Sequence, residues 1–176
     1  LTYDCLVCDS IDSGAIEYFI QGKQQQGAEA NARCEDGLFY SNHFLAVFDG
    51  ATDSSSREYE GKKSGRIARD IIIGVFRELP PDASKEDILE KINQSYQLFY
   101  RRHASLDFVG NPHWRPTATL IWYSFARGEL VAIADSKARV DGIPYNTESK
   151  LVDILNSELR VRVIETLNLT EKELAT

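Results

Sequence analysis

The most constraining feature of this sequence is the order of its predicted elements: a group of strands, two consecutive helices, a second group of strands and a late helix. Within each group, short turns rather than single crossover helices join neighbouring strands. This order favours an α+β fold with antiparallel sheets over a doubly wound parallel sheet. We expect the two consecutive helices to cover one outer face of a sheet, and the late helix to cover another.

The strands are predicted from short apolar or β-branched runs that turn residues separate. They are residues 15–22, 37–40, 44–48, 117–125, 129–134 and 138–140, the last turning at Asp141-Gly142. We expect 37–40 and 44–48 to form a hairpin, because only three residues lie between them. Residues 1–14 are expected to be an irregular N-terminal segment.

The helices are predicted from apolar residues at helical spacing. This spacing indicates a helix over 62–79 that ends at Pro80-Pro81, and a late helix over 147–167. Between them, Ser84 followed by Asp87 is a helix-start signal, and the apolar pattern then continues to about His103. The positions expected to be buried are Phe48, Ile71, Val75, Ile92, Leu120 and Ile133.

Length and charge limit the classes of function. A chain of 176 residues favours a single domain, here residues 1–176. The 20 Lys and Arg against 27 Asp and Glu give a net charge of −7, which argues against a nucleic-acid or anionic-membrane partner. The three cysteines fit no disulfide or zinc pattern, so we expect reduced thiols and a cytoplasmic protein. The absence of any Met, even at position 1, indicates a fragment or a processed chain.

The candidate site lies in residues 33–53, where an apolar strand ends at Asp49-Gly50. In the predicted hairpin, Glu35 and Asp36 lie at the end opposite the turn, near Asp49. Carboxylates that converge on one sheet edge repel one another unless a divalent cation lies between them, and oxygen ligands suit Mg²⁺ or Mn²⁺. The alternative is that Asp49-Gly50 is only a turn and that Glu35 and Asp36 are only solvated.

Four short segments stand in a characteristic order along the chain: CED, VFDGATD, RPTAT and IADSKARV, with the helix pair between the second and the third. In this order and spacing the chain resembles the PP2C-type metal-dependent protein phosphatases, the PPM family. That family has an N-terminal ED pair, an apolar strand ending in DG, a helix pair, a GSTA-like strand start and a GDSR-like strand end. The resemblance covers roughly residues 17–142.

The resemblance implies a four-layer α/β/β/α sandwich of two antiparallel sheets flanked by helices. It implies two Mg²⁺ or Mn²⁺ ions per complete site and an activated water that hydrolyses the phosphoserine or phosphothreonine of a phosphoprotein substrate. By position, the resemblance gives the following roles: Asp49 as bridging metal ligand, Gly50 as carbonyl ligand, Glu35 and Asp36 as holders of metal-bound water, Arg33 as phosphate-binding residue and Asp135 as supporting residue.

The sequence also departs from the family pattern. Ala51 stands where the family often has a His, and the late DG and DN motifs do not arrive before Thr176. We therefore expect the N-terminal two-thirds of such a domain, with an incomplete second metal site. A pseudophosphatase that acts as a regulatory or protein-binding module is an open alternative. A plain binding domain and a haloacid-dehalogenase-type phosphatase with Asp49 as nucleophile are also open, although the latter chemistry needs an acid where Ala51 stands.

Overall fold

The structure is a computed structural model, and it describes residues 6–8, 34–51, 53, 57–146, 158–159 and 162. The strands are β1 Leu6–Cys8, β2 Asp36–Tyr40, β3 Phe44–Ala51, β4 Glu58–Tyr59, β5 Lys62–Lys63, β6 Thr117–Ser124, β7 Glu129–Ile133, β8 Lys137–Val140 and β9 Ile143–Asn146. The helices are α1 Ser64–Glu78 and α2 Lys85–Arg102, with a 3-10 turn at Pro112–Trp114.

The main sheet has five strands in the order β1-β2-β3-β6-β7. All its pairs are antiparallel except β1–β2, which is parallel. The predicted α+β class with antiparallel pairing is therefore confirmed. Leu6–Cys8 form an edge strand within the segment 1–14 that we expected to be irregular. The predicted strand 15–22 lies outside the described residues.

A two-residue turn fixes the β2–β3 hairpin. Ser41 and Phe44 close it: the Ser41 N–H donates to the Phe44 carbonyl at 2.9 Å, and the Ser41 hydroxyl accepts the Phe44 N–H at 3.1 Å. Because Asn42 and His43 alone form the loop, every later cross-strand pair follows from this closure.

Both helices lie on one face of the main sheet, as predicted. Helix α1 packs directly on β2, β3 and β6, and α2 packs on α1. The two share a hydrophobic core with the sheet: Phe39, Phe44, Ala46, Phe48, Ile72, Ile73, Val75, Phe76, Ala83, Ile88, Ile92, Leu120 and Trp122. We call this covered side of the sheet the inner face and the opposite side the outer face.

The helix boundaries follow local signals. Helix α2 begins with a capping box, in which Ser84 and Asp87 each satisfy the other's backbone N–H. Helix α1 begins at Ser64 rather than at residue 62, because Lys62–Lys63 pair with Glu58–Tyr59 in a small hairpin. Of the predicted late helix, the described residues Glu158, Leu159 and Arg162 are helical, and the rest lies outside the described part.

Four of the six predicted core residues are buried as expected: Phe48, Val75, Ile92 and Leu120. The prediction was wrong for Ile71 and Ile133, which are half-buried. Ile133 lies on the edge strand β7, where only one neighbouring strand covers it. Ile71 packs against a smaller cluster around Tyr59 and Phe99 rather than in the main core.

Among the described residues, no helix combines the length and apolar composition that a membrane span requires.

Candidate functional site

Two aspartates face each other directly across the first hairpin. Asp36 on β2 pairs with Asp49 on β3, and Thr119 on β6 pairs with Asp49 from the other side. The Gly50 N–H donates to the Glu35 carbonyl at 3.2 Å, which makes the next pair, Asp36–Asp49, one of the non-hydrogen-bonded kind. Cα atoms in such pairs lie about 4.5 Å apart and their side chains are at their closest. The structure therefore brings these two carboxylates together on adjacent strands.

The side chains of this pair lie on the outer face. Successive residues of a strand point to opposite faces, and the burial of β3 alternates accordingly: Phe48 and Gly50 are buried, whereas Asp49 is exposed. Asp36 is half-buried. The two carboxylates thus lie on the side of the sheet opposite α1 and α2.

Glu35 does not join the aspartates on that face. It is only 5% exposed. A Cβ added at Gly65 in the first turn of α1 would lie 2.9 Å from the Glu35 carboxyl carbon, so this side chain lies next to the start of the helix. The expected convergence of three carboxylates therefore reduces to two on the outer face and one on the inner face.

Gly50 is a strand residue that lies against the backbone of α1. A Cβ added at Gly50 would lie 2.2 Å from the Gly65 carbonyl oxygen, and one added at Gly65 would lie 2.7 Å from the Gly50 carbonyl oxygen. Only glycine at both positions permits this approach. The alternative that Asp49-Gly50 is only a turn is wrong, because both residues belong to β3.

A cluster of basic residues on and just before α1 fixes the segment that leads into β2. Arg69 is 1% exposed and donates from Nη1 to the carbonyl of the buried residue Cys34 at 3.0 Å. Its Nε and Nη2 donate to Asp70 at 3.1 and 2.8 Å. Lys62 and Arg66 also bind Asp70, at 2.8 and 3.1 Å. Burial alone would raise the pKa of Asp70, but the hydrogen bonds from Lys62 and Arg69 and the nearby charges lower it overall.

Asp135 lies at the same end of the main sheet. Ile133, the last residue of β7, pairs with Leu120, so Asp135 follows just beyond the paired region. Strand β7 is two strands from β3, so these two strands lie about 10 Å apart, and Asp135 lies in the turn that follows β7. Arg33, the predicted phosphate-binding residue, lies outside the described residues.

Trp114, on the loop that precedes β6, contacts residues from the segment that leads into α1. The Arg57 guanidinium lies 3.9 Å from the centre of the Trp114 ring, and the Tyr59 hydroxyl donates to the Trp114 carbonyl at 2.5 Å. Burial raises the pKa of Tyr59. These contacts fix the loop 103–116, and with it the start of β6 that carries Thr119.

The aspartate pair fits one divalent cation. Mg²⁺ is commonly bound through one or two carboxylates while it keeps several waters, and Asp36 and Asp49 offer two such groups. In the described ranges, no three His, Cys, Asp or Glu residues lie close enough together to hold a metal ion. A second cation would therefore need ligands from elsewhere.

Sequence reasoning missed three residues that shape this site: Gly65, Arg69 and Thr119. Thr119 could have been found, because the strand 117–125 was predicted and only its register was lacking. The role of Arg69 was harder to predict, because the only indication was a charged residue within a helix predicted from its apolar spacing. The role of Gly65 could not be predicted from the sequence, because it depends on a contact with residues that are distant in the chain.

No family model matches this sequence, and no curated protein matches it. Two solved structures are similar. One is the serine/threonine phosphatase PstP/Ppp of Mycobacterium tuberculosis, with 19% identity, a TM-score of 0.46 and coverage of 81% of this chain and 56% of the other. The other is the catalytic domain of the serine/threonine protein phosphatase PstP in complex with two manganese ions, with 23% identity, a TM-score of 0.42 and coverage of 81% and 58%. The chain thus spans less than two thirds of either structure.

Proposed function

We propose that this chain carries part of the catalytic centre of a metal-dependent serine/threonine phosphatase, with Asp49 as the principal ligand of a Mg²⁺ or Mn²⁺ ion. The observation that carries the proposal is the direct opposition of Asp36 and Asp49 on the outer face of the sheet. Like charges directly opposite each other destabilise a strand pair. A divalent cation between them turns this repulsion into attraction, and hard oxygen ligands select Mg²⁺ or Mn²⁺.

In this proposal the other residues take the roles that the resemblance implies, with one exception. Gly50 contributes its carbonyl, Asp36 holds metal-bound water, Arg33 binds the substrate phosphate and Asp135 supports the site. Glu35 is the exception: it is buried on the inner face beside α1, so we do not assign it the water-holding role that the resemblance implies. The bound cations supply a water of lowered pKa and positive charge beside the phosphoryl oxygens. The substrate is a phosphoprotein.

The proposal includes a four-layer sandwich, in which a second sheet covers the outer face. The row next to the aspartates is apolar: Leu38, Val47 and Ile121 pair with one another across β2, β3 and β6. Val47 is 49% exposed, an unusual state for a valine in the middle of a five-stranded sheet. A second sheet packed there would bury this row and leave the aspartates at its rim.

The test is metal binding by the chain of residues 1–176. We expect Asp49→Asn to abolish tight Mn²⁺ binding in isothermal titration calorimetry, because it removes the carboxylate that faces Asp36. Asp82→Asn is the matched control: Asp82 is an exposed carboxylate in the loop after α1, at the end remote from the aspartate pair. Equal Mn²⁺ affinity in the wild type and in Asp49→Asn would show that the site is wrongly assigned.

The second candidate is a pseudophosphatase with the same fold. It is favoured by Ala51, which is exposed on the outer face of β3 and offers no acid or base. Hydrolysis of p-nitrophenyl phosphate in Mn²⁺ separates the two candidates. A chain that binds the metal through Asp49 but lacks turnover in its natural full-length form favours the pseudophosphatase.

A further inference from the structure

The segment before β2 is held by a side chain from a distant part of the sequence. Residue 34 lies one position before Glu35 and two before Asp36. Its carbonyl accepts a hydrogen bond from Arg69 Nη1 at 3.0 Å and a longer one from Arg66 Nη1 at 3.4 Å. The anchoring helix therefore contacts the chain immediately before the carboxylates begin.

Arg69 is itself fixed in place. It is 1% exposed, and its remaining donors form a fork on Asp70. A guanidinium is planar and presents its donors in a rigid arrangement, so the two donors on Asp70 determine where Nη1 points. Asp70 is in turn held by Lys62 and Arg66. The position of the Cys34 carbonyl is thus determined by a rigid group and not by a flexible surface side chain.

From these contacts we infer that Arg69 is a positioning residue, which sets the entry of β2 so that Asp36 faces Asp49. The pairing at this end of the hairpin needs such help. The turn that fixes the register lies at the opposite end of β2, and beyond Asp36–Asp49 only the hydrogen bond from the Gly50 N–H to the Glu35 carbonyl, at 3.2 Å, continues the pairing. Without an anchor at residue 34, this single bond would have to keep the end of β2 from fraying.

The inference rests on the proposed function for its link to metal binding, but the geometry can be tested without metal. In a non-hydrogen-bonded antiparallel pair the two Hα atoms are close, so Asp36 and Asp49 should give an Hα–Hα nuclear Overhauser cross peak. Leu38 and Val47 form the next pair of the same kind, two residues nearer the turn, and give an internal reference peak.

The test compares Arg69→Met with Lys62→Met in the full chain. Arg69→Met keeps the buried side chain's length but removes the donor to Cys34. We expect it to lose the Asp36–Asp49 cross peak, retain the Leu38–Val47 peak and bind Mn²⁺ at least about tenfold more weakly. Lys62→Met removes a cation from Asp70 without touching Cys34, and it should retain both peaks and the metal affinity.

An Asp36–Asp49 cross peak that persists at full intensity in Arg69→Met overturns the inference. Should Arg69→Met fail to fold, Arg69→Lys decides instead. Its single ammonium cannot bind Asp70 and the Cys34 carbonyl with the rigid geometry of a guanidinium, so the Asp36–Asp49 cross peak should weaken. An undiminished cross peak again overturns the inference. A wild-type chain that shows the cross peak but binds no Mn²⁺ refutes the proposed function alone.

Discussion

The contact between Gly50 and Gly65 predicts opposite effects for two glycine substitutions on the same helix. An alanine Cβ at Gly65 would lie 2.7 and 2.8 Å from the Gly50 carbonyl oxygen and carbon, and 2.9 Å from the Glu35 carboxyl carbon. Two of these three atoms are backbone of β3, which β2 and β6 hold from both sides. The strand therefore cannot move away cheaply. A Cβ at Gly74, in the middle of α1, meets nothing within 4 Å.

The magnitudes follow from this difference. Replacing a helical glycine by alanine stabilises a helix by about 0.5–1 kcal/mol, and Gly74→Ala should show this gain. Gly65→Ala adds an overpacking cost of about 1–3 kcal/mol to the same gain, so it should be destabilised by about 1 kcal/mol. The two variants should therefore differ by about 2 kcal/mol in their free energy of unfolding.

Urea denaturation followed by circular dichroism measures this difference. The midpoints should move in opposite directions while the slope stays constant, which indicates a change in stability rather than in compactness. If Gly65→Ala were as stable as Gly74→Ala, the backbone contact between β3 and α1 would be refuted. The close approach of the two backbones would then no longer explain why residue 50 is glycine.

Two further predictions concern the helices. Ser84→Ala should lower the free energy of unfolding by about 1 kcal/mol in the same urea assay, because it removes the capping box of α2; Ser95→Ala, in the interior of α2, is the control. Asp70, whose folded pKa is lowered, stabilises the fold above its unfolded pKa of about 4, and this contribution is lost as the pH falls through the folded value. Asp70→Asn should therefore flatten the acid-side loss of stability in urea titrations from about pH 5 to pH 2, and an unchanged slope would contradict this.

Local signals explain how much of the fold was predictable. The Pro80-Pro81 stop and the Ser84 start lie in the sequence itself, so both helices were predicted to within two residues. The hairpin of β4 and β5 was missed because two-residue strands have no periodicity to detect. Strand β1 was missed for a similar reason: it has three residues, and its partner lies about thirty residues away.

The part of the candidate site that lies on the β2–β3 hairpin could be predicted from the sequence. The short turn at Asn42 and His43 fixes the register, and this placed Asp36 near Asp49 correctly. Glu35 was expected on the same edge, although adjacent residues of a strand point to opposite faces. Applying that alternation would have separated Glu35 from Asp36. The contacts of Gly65 and Arg69 with this hairpin depend on how the helix docks, and no local pattern encodes them.

The alternation of side chains along β2 and β3 places core packing on one face of the sheet and the candidate metal ligands on the other. At this end of the sheet Phe48 faces inward, into the core beneath the helices, and the two aspartates face outward. A substitution at either aspartate therefore leaves the packing between the sheet and the helices unchanged. Like charges that face each other across a strand pair cost stability, so under the proposed function the aspartate pair exchanges some stability of the sheet for affinity toward a cation.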